Sequence, residues 1–499
     1  MSLINISKLT FAYDGNYDNI FTDVSFQIDT DWKLGFCGRN GRGKTTFLKL
    51  LMGKYEYGGM ITASVEFDYF PLEIAHTLDS VHSVLEQVAP RAESWQIQKE
   101  LSKIGVSMEA LCRPFFTLSN GEQTKVLLAG LFLRENNFLL IDEPTNHLDM
   151  ASRQIVARYL KSKADFILVS HDRAFLDECV DHILSINKAD IEIISGNFST
   201  WAEQKERRDA CETARNERLE SEIARLEKAA AQTSDWSDKA EKSKYGKQDS
   251  GLKADRGYVG HKAAKMMKRS KAIEKRRDGS IEDKAKLLKN IESAAELKIR
   301  PLRYPTERLL ELNKVSVRYG DREILSKVNL TLERGARIAL QGGNGSGKSS
   351  LIKLICGENV PHTGQVSIGS RLIISYVPQD TSFLTGSLRD YAKAERIDET
   401  LFKSILHKLD FSRVQFDKDM RDFSAGQKKK TLIARSLCER AHVYIWDEPL
   451  NYIDVLSRMQ IEELILAYEP TMLFAEHDRA FCHNIATETI LLKGSLSNR

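Results

Sequence analysis

The sequence predicts an α/β chain in which two copies of one domain flank a long helical hairpin. Three observations carry that expectation. The pattern GxxxxGK[ST] occurs twice, with its lysines Lys44 and Lys348 lying 304 positions apart. Other landmarks recur in the same order 305 to 307 positions apart: Tyr13 and Tyr319, Pro71 and Pro378, Ser119 and Ser424, Asp142 and Asp447, His171 and His477. Between the copies, glycine-punctuated apolar runs give way to Ala, Glu, Lys and Arg at helical spacing. The expected organisation is a first domain at 1–199, a hairpin linker at 200–304 and a second domain at 305–499.

Composition narrows the class. The 499 residues hold 73 Lys+Arg against 70 Asp+Glu, a net charge of +3, with 42% hydrophobic and 29% charged residues. That is the profile of a soluble globular protein of several domains. No apolar run approaches the roughly 18 residues needed to cross a bilayer, and the first residues lack a secretion-signal pattern. The seven cysteines are scattered with no CxxC pair, which reads as reduced thiols in a cytoplasmic protein rather than a metal or disulfide framework.

Each glycine-rich stretch follows a short apolar strand and precedes an amphipathic helix, the context in which backbone N–H groups cradle phosphate oxygens. In the first copy it comprises Gly38, Arg39, Asn40, Gly41, Arg42, Gly43, Lys44, Thr45 and Thr46. In the second it comprises Gly342, Gly343, Asn344, Gly345, Ser346, Gly347, Lys348, Ser349 and Ser350. The lysines are expected to reach β and γ phosphates, and Thr45 and Ser349 to hold Mg²⁺. Two apolar strands, Phe138–Ile141 and Val443–Trp446, end in Asp142-Glu143 and Asp447-Glu448, 98 and 99 residues after the lysines. The aspartate suits a magnesium shell, and the glutamate can polarise an attacking water. His171 and His477 follow further apolar strands, where an imidazole can sense a γ-phosphate.

Leu118-Ser119-Asn120-Gly121-Glu122 and Phe423-Ser424-Ala425-Gly426-Gln427 complete the set, each serine 23 residues before its strand-end aspartate. These stretches resemble the signature of ATP-binding cassette ATPases, and the likeness covers both copies. It implies two P-loop cassettes closing face to face, with Tyr13 and Tyr319 on adenine. Each ATP would lie between one P-loop and the other cassette's signature serine. Gln379 would join the second magnesium shell, whereas Leu72 stands where the first copy should carry that glutamine. The glycine usual at Asn120 and Ala425 is also replaced. With both glutamates present, two competent sites are expected, the first slower.

Tandem cassettes joined by a helical linker, with the run Lys265-Met-Met-Lys268-Arg269-Ser-Lys271, are similar to the ABC-F family. Pro71 to Ser119 spans 48 residues and Pro378 to Ser424 spans 46, so neither copy has space for the inserted arm of some housekeeping members. The 22 residues after His477 likewise leave no space for a C-terminal coiled coil. Wording such as Asp29-Thr-Asp-Trp-Lys-Leu-Gly35 and Pro449-Leu-Asn-Tyr-Ile-Asp454 resembles the Lsa-type antibiotic-resistance subgroup. The resemblance implies a monomer in the cytoplasm, associated with the bacterial ribosome at its tRNA exit site, meeting 23S rRNA and P-site tRNA, with no membrane and no DNA partner. It also implies protection against lincosamides, streptogramin A and pleuromutilins, with ATP hydrolysis freeing the factor. A housekeeping ABC-F factor and the ATPase subunit of a drug exporter are the alternatives.

The linker carries the residue-level support. Leu219, Ile223, Leu226 and Ala230 mark a first helix of about 33 residues and about 50 Å, residues 234–260 read as a turn, and helical spacing returns to about 298. Residues 239–277 hold fourteen Lys/Arg against four Asp/Glu. Lys244, Lys247, Lys253, Arg256, Lys262, Lys265, Lys268, Arg269 and Lys271 can meet phosphates, while Trp236, Tyr245 and Tyr258 can stack on bases. The near-neutral total thus averages a basic hairpin, +7 over residues 201–300, with a remainder of −4.

Overall fold

The computed structural model describes residues 2–13, 19–72, 74, 78–135, 137–146, 148–186, 191–243, 297–320 and 322–492. The chain divides into two compact units, residues 1–201 with 294–499, and residues 202–293. Both repeats lie in the first unit.

The first repeat runs β1 (Leu3–Phe11), β2 (Phe21–Asp29), β3 (Lys33–Gly38), α1 (Lys44–Leu51), β4 (Gly58–Thr62) and β5 (Glu66–Phe70). A helical insertion follows, with α2 (Val81–Val88), α3 (Ser94–Lys103) and α4 (Asn120–Leu131). The repeat closes with β6 (Asn137–Asp142), α5 (Met150–Lys161), β7 (Phe166–Val169), α6 (Arg173–Cys179), β8 (His182–Ile186) and β9 (Ile191–Ser195). The central sheet has the order β5-β6-β7-β3-β8-β9, parallel except for β9. Its middle strands read as unbroken apolar runs because parallel strands are covered on both faces. Phe138 to Ile141 and Phe166 to Val169 are buried accordingly. An antiparallel sheet, β2-β1-β4, packs its inward face with Phe47 and Leu48 of α1 around Ile4, Leu34 and Phe36.

After the long helix α7 (Phe198–Ser243) comes the second repeat: β10 (Arg308–Tyr319), β11 (Arg322–Glu333), β12 (Arg337–Gln341), α8 (Lys348–Ile355), β13 (His362–Ile368) and β14 (Ile374–Val377). Then follow α9 (Leu388–Ala394), α10 (Glu399–Lys408), α11 (Arg413–Phe416), α12 (Ala425–Cys438), β15 (Val443–Asp447), α13 (Val455–Tyr468), β16 (Met472–Ala475), α14 (Arg479–Ile485) and β17 (Glu488–Leu491). Among the described residues its sheets have the orders β14-β15-β16-β12-β17 and β11-β10-β13. The duplicated landmarks therefore lie on duplicated elements.

Parallel pairing is what gathers the site. Phe36 of β3 and Asp142 of β6 both register with Val169 of β7, so the residues after all three strands meet at one sheet edge. Leu340 and Asp447 do the same with Ala475 in the second repeat.

Two expectations about the linker change. Helix α7 spans 46 residues, about 69 Å, and continues ten residues into the stretch that composition marked as a turn. Its Ser and Asp residues favour turns only weakly, and neither glycine nor proline interrupts the helix before Gly246. Its start is fixed by Asn197, whose side chain accepts from the Thr200 N–H at 3.0 Å, and by buried Phe198 and Trp201. The return segment joins the second repeat before residue 305. Leu297 and Ile299 are buried in its core, and the Leu302 N–H donates to the Ala441 carbonyl at 2.8 Å.

One buried carboxylate braces the helical insertion. Glu100 of α3 accepts from the Tyr159 hydroxyl at 2.7 Å and pairs with Lys163 at 2.6 Å and Lys103 at 2.8 Å. Burial alone would push its carboxyl up; the two lysines and the tyrosine outweigh it and hold the pKa at about 2. Because the folded pKa lies below the unfolded one, the stabilisation is complete above about pH 4.5 and fades as pH falls toward 2. Glu100→Gln is expected to cost about 1–3 kcal/mol at pH 7 in chemical unfolding, with the gap from wild type closing below pH 4. An equal gap at pH 7 and pH 3 contradicts this.

Candidate functional site

Each glycine-rich loop leaves the C-terminal end of a central strand and turns into a helix. Gly43 and Gly347 cap those helices in the left-handed region, at φ 88° and 91°, where an L side chain is strained. With that turn made, the first N–H groups of α1 and α8 face the loop. Lys44 donates to the Gly38 and Arg39 carbonyls at 2.7 and 3.1 Å, and Lys348 to the Gly342 and Gly343 carbonyls at 2.9 and 3.1 Å. Burial lowers the pKa of both lysines, partly offset by carboxylates. Asp454 is among those acting on Lys44 and Asp149 among those acting on Lys348, each from the opposite repeat.

The strand-end carboxylates sit directly beside these loops. Thr45 donates to Asp142 at 2.8 Å, and the Tyr69 hydroxyl donates to the same oxygen at 3.0 Å. Asp447 is buried beside Ser349, and burial raises its pKa against the pull of Ser349, Lys429 and Lys348. The next residue is the glutamate in both repeats, at φ 52° for Glu143 and 47° for Glu448. Non-glycine residues rarely adopt that conformation, and both repeats hold their strand-end glutamate in it.

The two glutamates differ. Glu448 accepts from Gln379 at 2.7 Å and Asn451 at 2.8 Å, and His477 Nε2 lies 3.3 Å away. Burial pushes its carboxyl up, but His477 and two lysines hold it below the usual range. Glu143 meets His171 Nε2 at 3.1 Å, and Leu72 stands where the second repeat places Gln379. Burial and the neighbouring Asp142 push its carboxyl up to about 8, against Lys44 and Arg458. His171 is itself held well below 6.5, chiefly by burial and then by Lys44, so at neutral pH this contact joins two uncharged groups. Glu73 lies outside the described residues.

Ser119 and Ser424 cap α4 and α12 through reciprocal boxes with Glu122 and Gln427. Both helix N-termini point across to the other repeat. A cavity of about 840 Å³ is lined by Ser119, Asn120, Gly121 and Glu122 of the first repeat and by Gly343 to Ser350, Gln379, Glu448 and His477 of the second. On the opposite side, Asn40 donates to the Tyr452 carbonyl at 2.8 Å. Gly426 packs there so closely that a Cβ would stand 2.4 Å from that oxygen and 3.1 Å from Asn40. The signature residues and P-loops therefore meet across the repeats. Each tyrosine is bonded to the helix after its P-loop, Tyr13 to Thr46 at 2.8 Å and Tyr319 to Ser350 at 3.4 Å. Trp236 falls on α7, and the linker residues from Lys244 to Lys271 lie outside the described ones.

Several interface residues escaped the sequence reading. Arg153 of α5 donates to the His477 carbonyl of the other repeat at 3.1 Å, while pairing with Asp172 at 2.8 Å. Its counterpart Arg458 pairs with Asp478 at 3.0 Å. Asp149 and Asp454 cap α5 and α13, and Asp454 pairs with Lys430 at 2.7 Å. All of these recur 305 or 306 positions apart, which is the signal that would have found them.

The model of the ABC transporter family matches residues 21–146 and 325–451. The chain belongs to that family. It is a tandem-cassette ATPase, similar along nearly its whole length to ABC transporter F family member 2 of Arabidopsis thaliana, at 26% identity over 98% of this chain and 76% of the relative. It is 28% identical to the ribosome protection protein VmlR of Bacillus subtilis, over 98% of this chain and 87% of the relative. It is 27% identical to the probable ATP-binding protein YheS of Escherichia coli K12, over 95% and 76%. Among solved structures, the archaeal ribosome recycling factor aABCE1, in complex with the stalk protein aP1, superposes with a TM-score of 0.63 at 18% identity. That likeness covers 97% of this chain and 87% of the other and concerns the fold. Among the described residues no helix is long and apolar enough to cross a membrane.

The unequal glutamates predict unequal turnover. Glu448→Gln is expected to lower ATP hydrolysis about a hundredfold or more, and Glu143→Gln less than about tenfold. Steady-state phosphate release from the two single variants checks this; equal losses contradict it.

Proposed function

We propose that this chain binds the bacterial ribosome at the tRNA exit site in its ATP-closed form and protects it from antibiotics of the peptidyl-transferase centre. Lincosamides, streptogramin A and pleuromutilins are the proposed drugs, and an Lsa-type subgroup is the proposed place within the ABC-F proteins. The composite cavity carries the clamp part of this reading. A nucleotide touching Lys348 on one side and the Ser119 cap on the other joins both cassettes, so binding favours closure and loss of the γ-phosphate weakens it. The partner is supported by the relative named a ribosome protection protein and by the basic linker. We place 23S rRNA and P-site tRNA at the linker tip, around Lys244 to Lys271.

The hard oxygen donors fit Mg²⁺. Thr45 and Asp142 would hold it in one cassette, and Ser349, Gln379 and Asp447 in the other, where the buried Asp447 carboxylate offers hard oxygen donors. When bound, the ion neutralises phosphate charge. Glu448, ionised and fixed by Gln379 and Asn451, orients the attacking water and takes its proton. His477, beside Glu448 and held through its backbone by Arg153, reports phosphate state to the opposite cassette.

Co-sedimentation tests the reading. Glu143→Gln/Glu448→Gln protein with ATP is expected to pellet with ribosomes rather than membranes. Its affinity should fall about 50- to 150-fold between 50 and 200 mM salt if four phosphates are engaged. Pelleting with membranes favours an exporter subunit, and salt-insensitive binding rejects the basic linker as the RNA contact. Growth with and without lincosamide on expression then separates drug protection from a housekeeping role.

A further inference from the structure

The two P-loops differ in one respect that phosphate binding does not explain. The first carries Arg39 and Arg42 where the second carries Gly343 and Ser346. Both guanidinium groups approach one carboxylate oxygen of the other cassette: Arg42 Nη2 lies 3.5 Å and Arg39 Nη1 4.0 Å from Asp410 Oδ1.

Asp410 stands at an unusual place for a side chain. It follows α10 in the left-handed region, at φ 68°, with the Phe411 N–H donating to the Leu406 carbonyl at 3.0 Å. The same turn follows α3, where the Val106 N–H donates to the Leu101 carbonyl at 3.0 Å, and there the residue at φ 71° is Gly105. Glycine is the usual choice at such a helix end because it carries no Cβ penalty. Thus three positions change together between the two sites: arginine, arginine and aspartate in one, glycine, serine and glycine in the other. The neighbouring Leu409 carbonyl accepts from the buried Lys430 ammonium at 2.9 Å, and Lys430 also pairs with Asp454, which fixes the turn against the interface.

We propose that Asp410 is a positioning residue that latches the first P-loop to the second cassette through Arg39 and Arg42. The latch is made of protein charges only, so it does not depend on a γ-phosphate. The first composite site therefore stays closed after hydrolysis, and the cassettes part first at the second site. This rests on the nucleotide-dependent clamp described above.

The test uses full-length chain carrying spin-label pairs across each site, read with ADP and with non-hydrolysable ATP. In wild type with ADP, the pair across the first site is expected to remain short while the pair across the second lengthens. Asp410→Asn keeps a residue that tolerates the turn and removes the charge. It should lower the closed-to-open ratio at the first site about three- to tenfold with ADP and abolish its salt dependence. Arg42→Ser should do the same, and the double variant should add little to either. An unchanged first-site distance in Asp410→Asn, or additive effects in the double variant, overturns the latch. Wild-type distances that ignore ATP at both sites instead overturn the clamp itself.

Discussion

The association of the two cassettes turns on a buried cation. Arg153 gives its guanidinium to the Leu148 and Thr145 carbonyls and the Asp172 carboxylate of its own cassette, and to the His477 carbonyl of the other. A buried charge with four acceptors is tolerable; the same charge left without them costs about 3–5 kcal/mol. Its position thus ties three segments together: the loop after Asp142, the start of α5 and the histidine loop across the interface. Arg173 and Glu462 add an ion pair between the cassettes.

The parallel sheet supplies the second constraint. Because β3, β6 and β7 end in register, lysine, aspartate and histidine loops converge without any long connection reaching across the domain. Duplication then yields two such edges. Their unequal finish comes from a few substitutions, among them Leu72 against Gln379 and Arg42 against Ser346, acting on equal backbones.

Much of this was legible in the chain. The P-loops, the Asp-Glu pairs, the histidines and the signature serines follow local strand-to-helix patterns, and the constant offset between copies confirms each. Arg153 and Asp149 show themselves in the chain only through their recurrence at the repeat offset, and Asp410 and Tyr452 not even by that; what the four touch lies about 190 to 410 positions away, and no local spacing encodes it. The length of α7 was misjudged because Ser and Asp were read as breakers where only glycine or proline ends a helix firmly. Leu297 and Ile299 carry too short an apolar pattern to reveal their place in the core of the second repeat.

Nucleotide retention tests the cross-cassette site most directly. In the hydrolysis-blocked background, Lys44→Ala should leave ATP at the second P-loop alone, and adding Ser119→Arg should remove it. With Lys348→Ala, the remaining ATP should be indifferent to Ser119→Arg, since Ser119 faces the other P-loop. Bound nucleotide per chain, measured after gel filtration, decides. Loss of nucleotide from Lys348→Ala/Ser119→Arg, with retention in Lys44→Ala/Ser119→Arg, would mean that each signature serves its own P-loop.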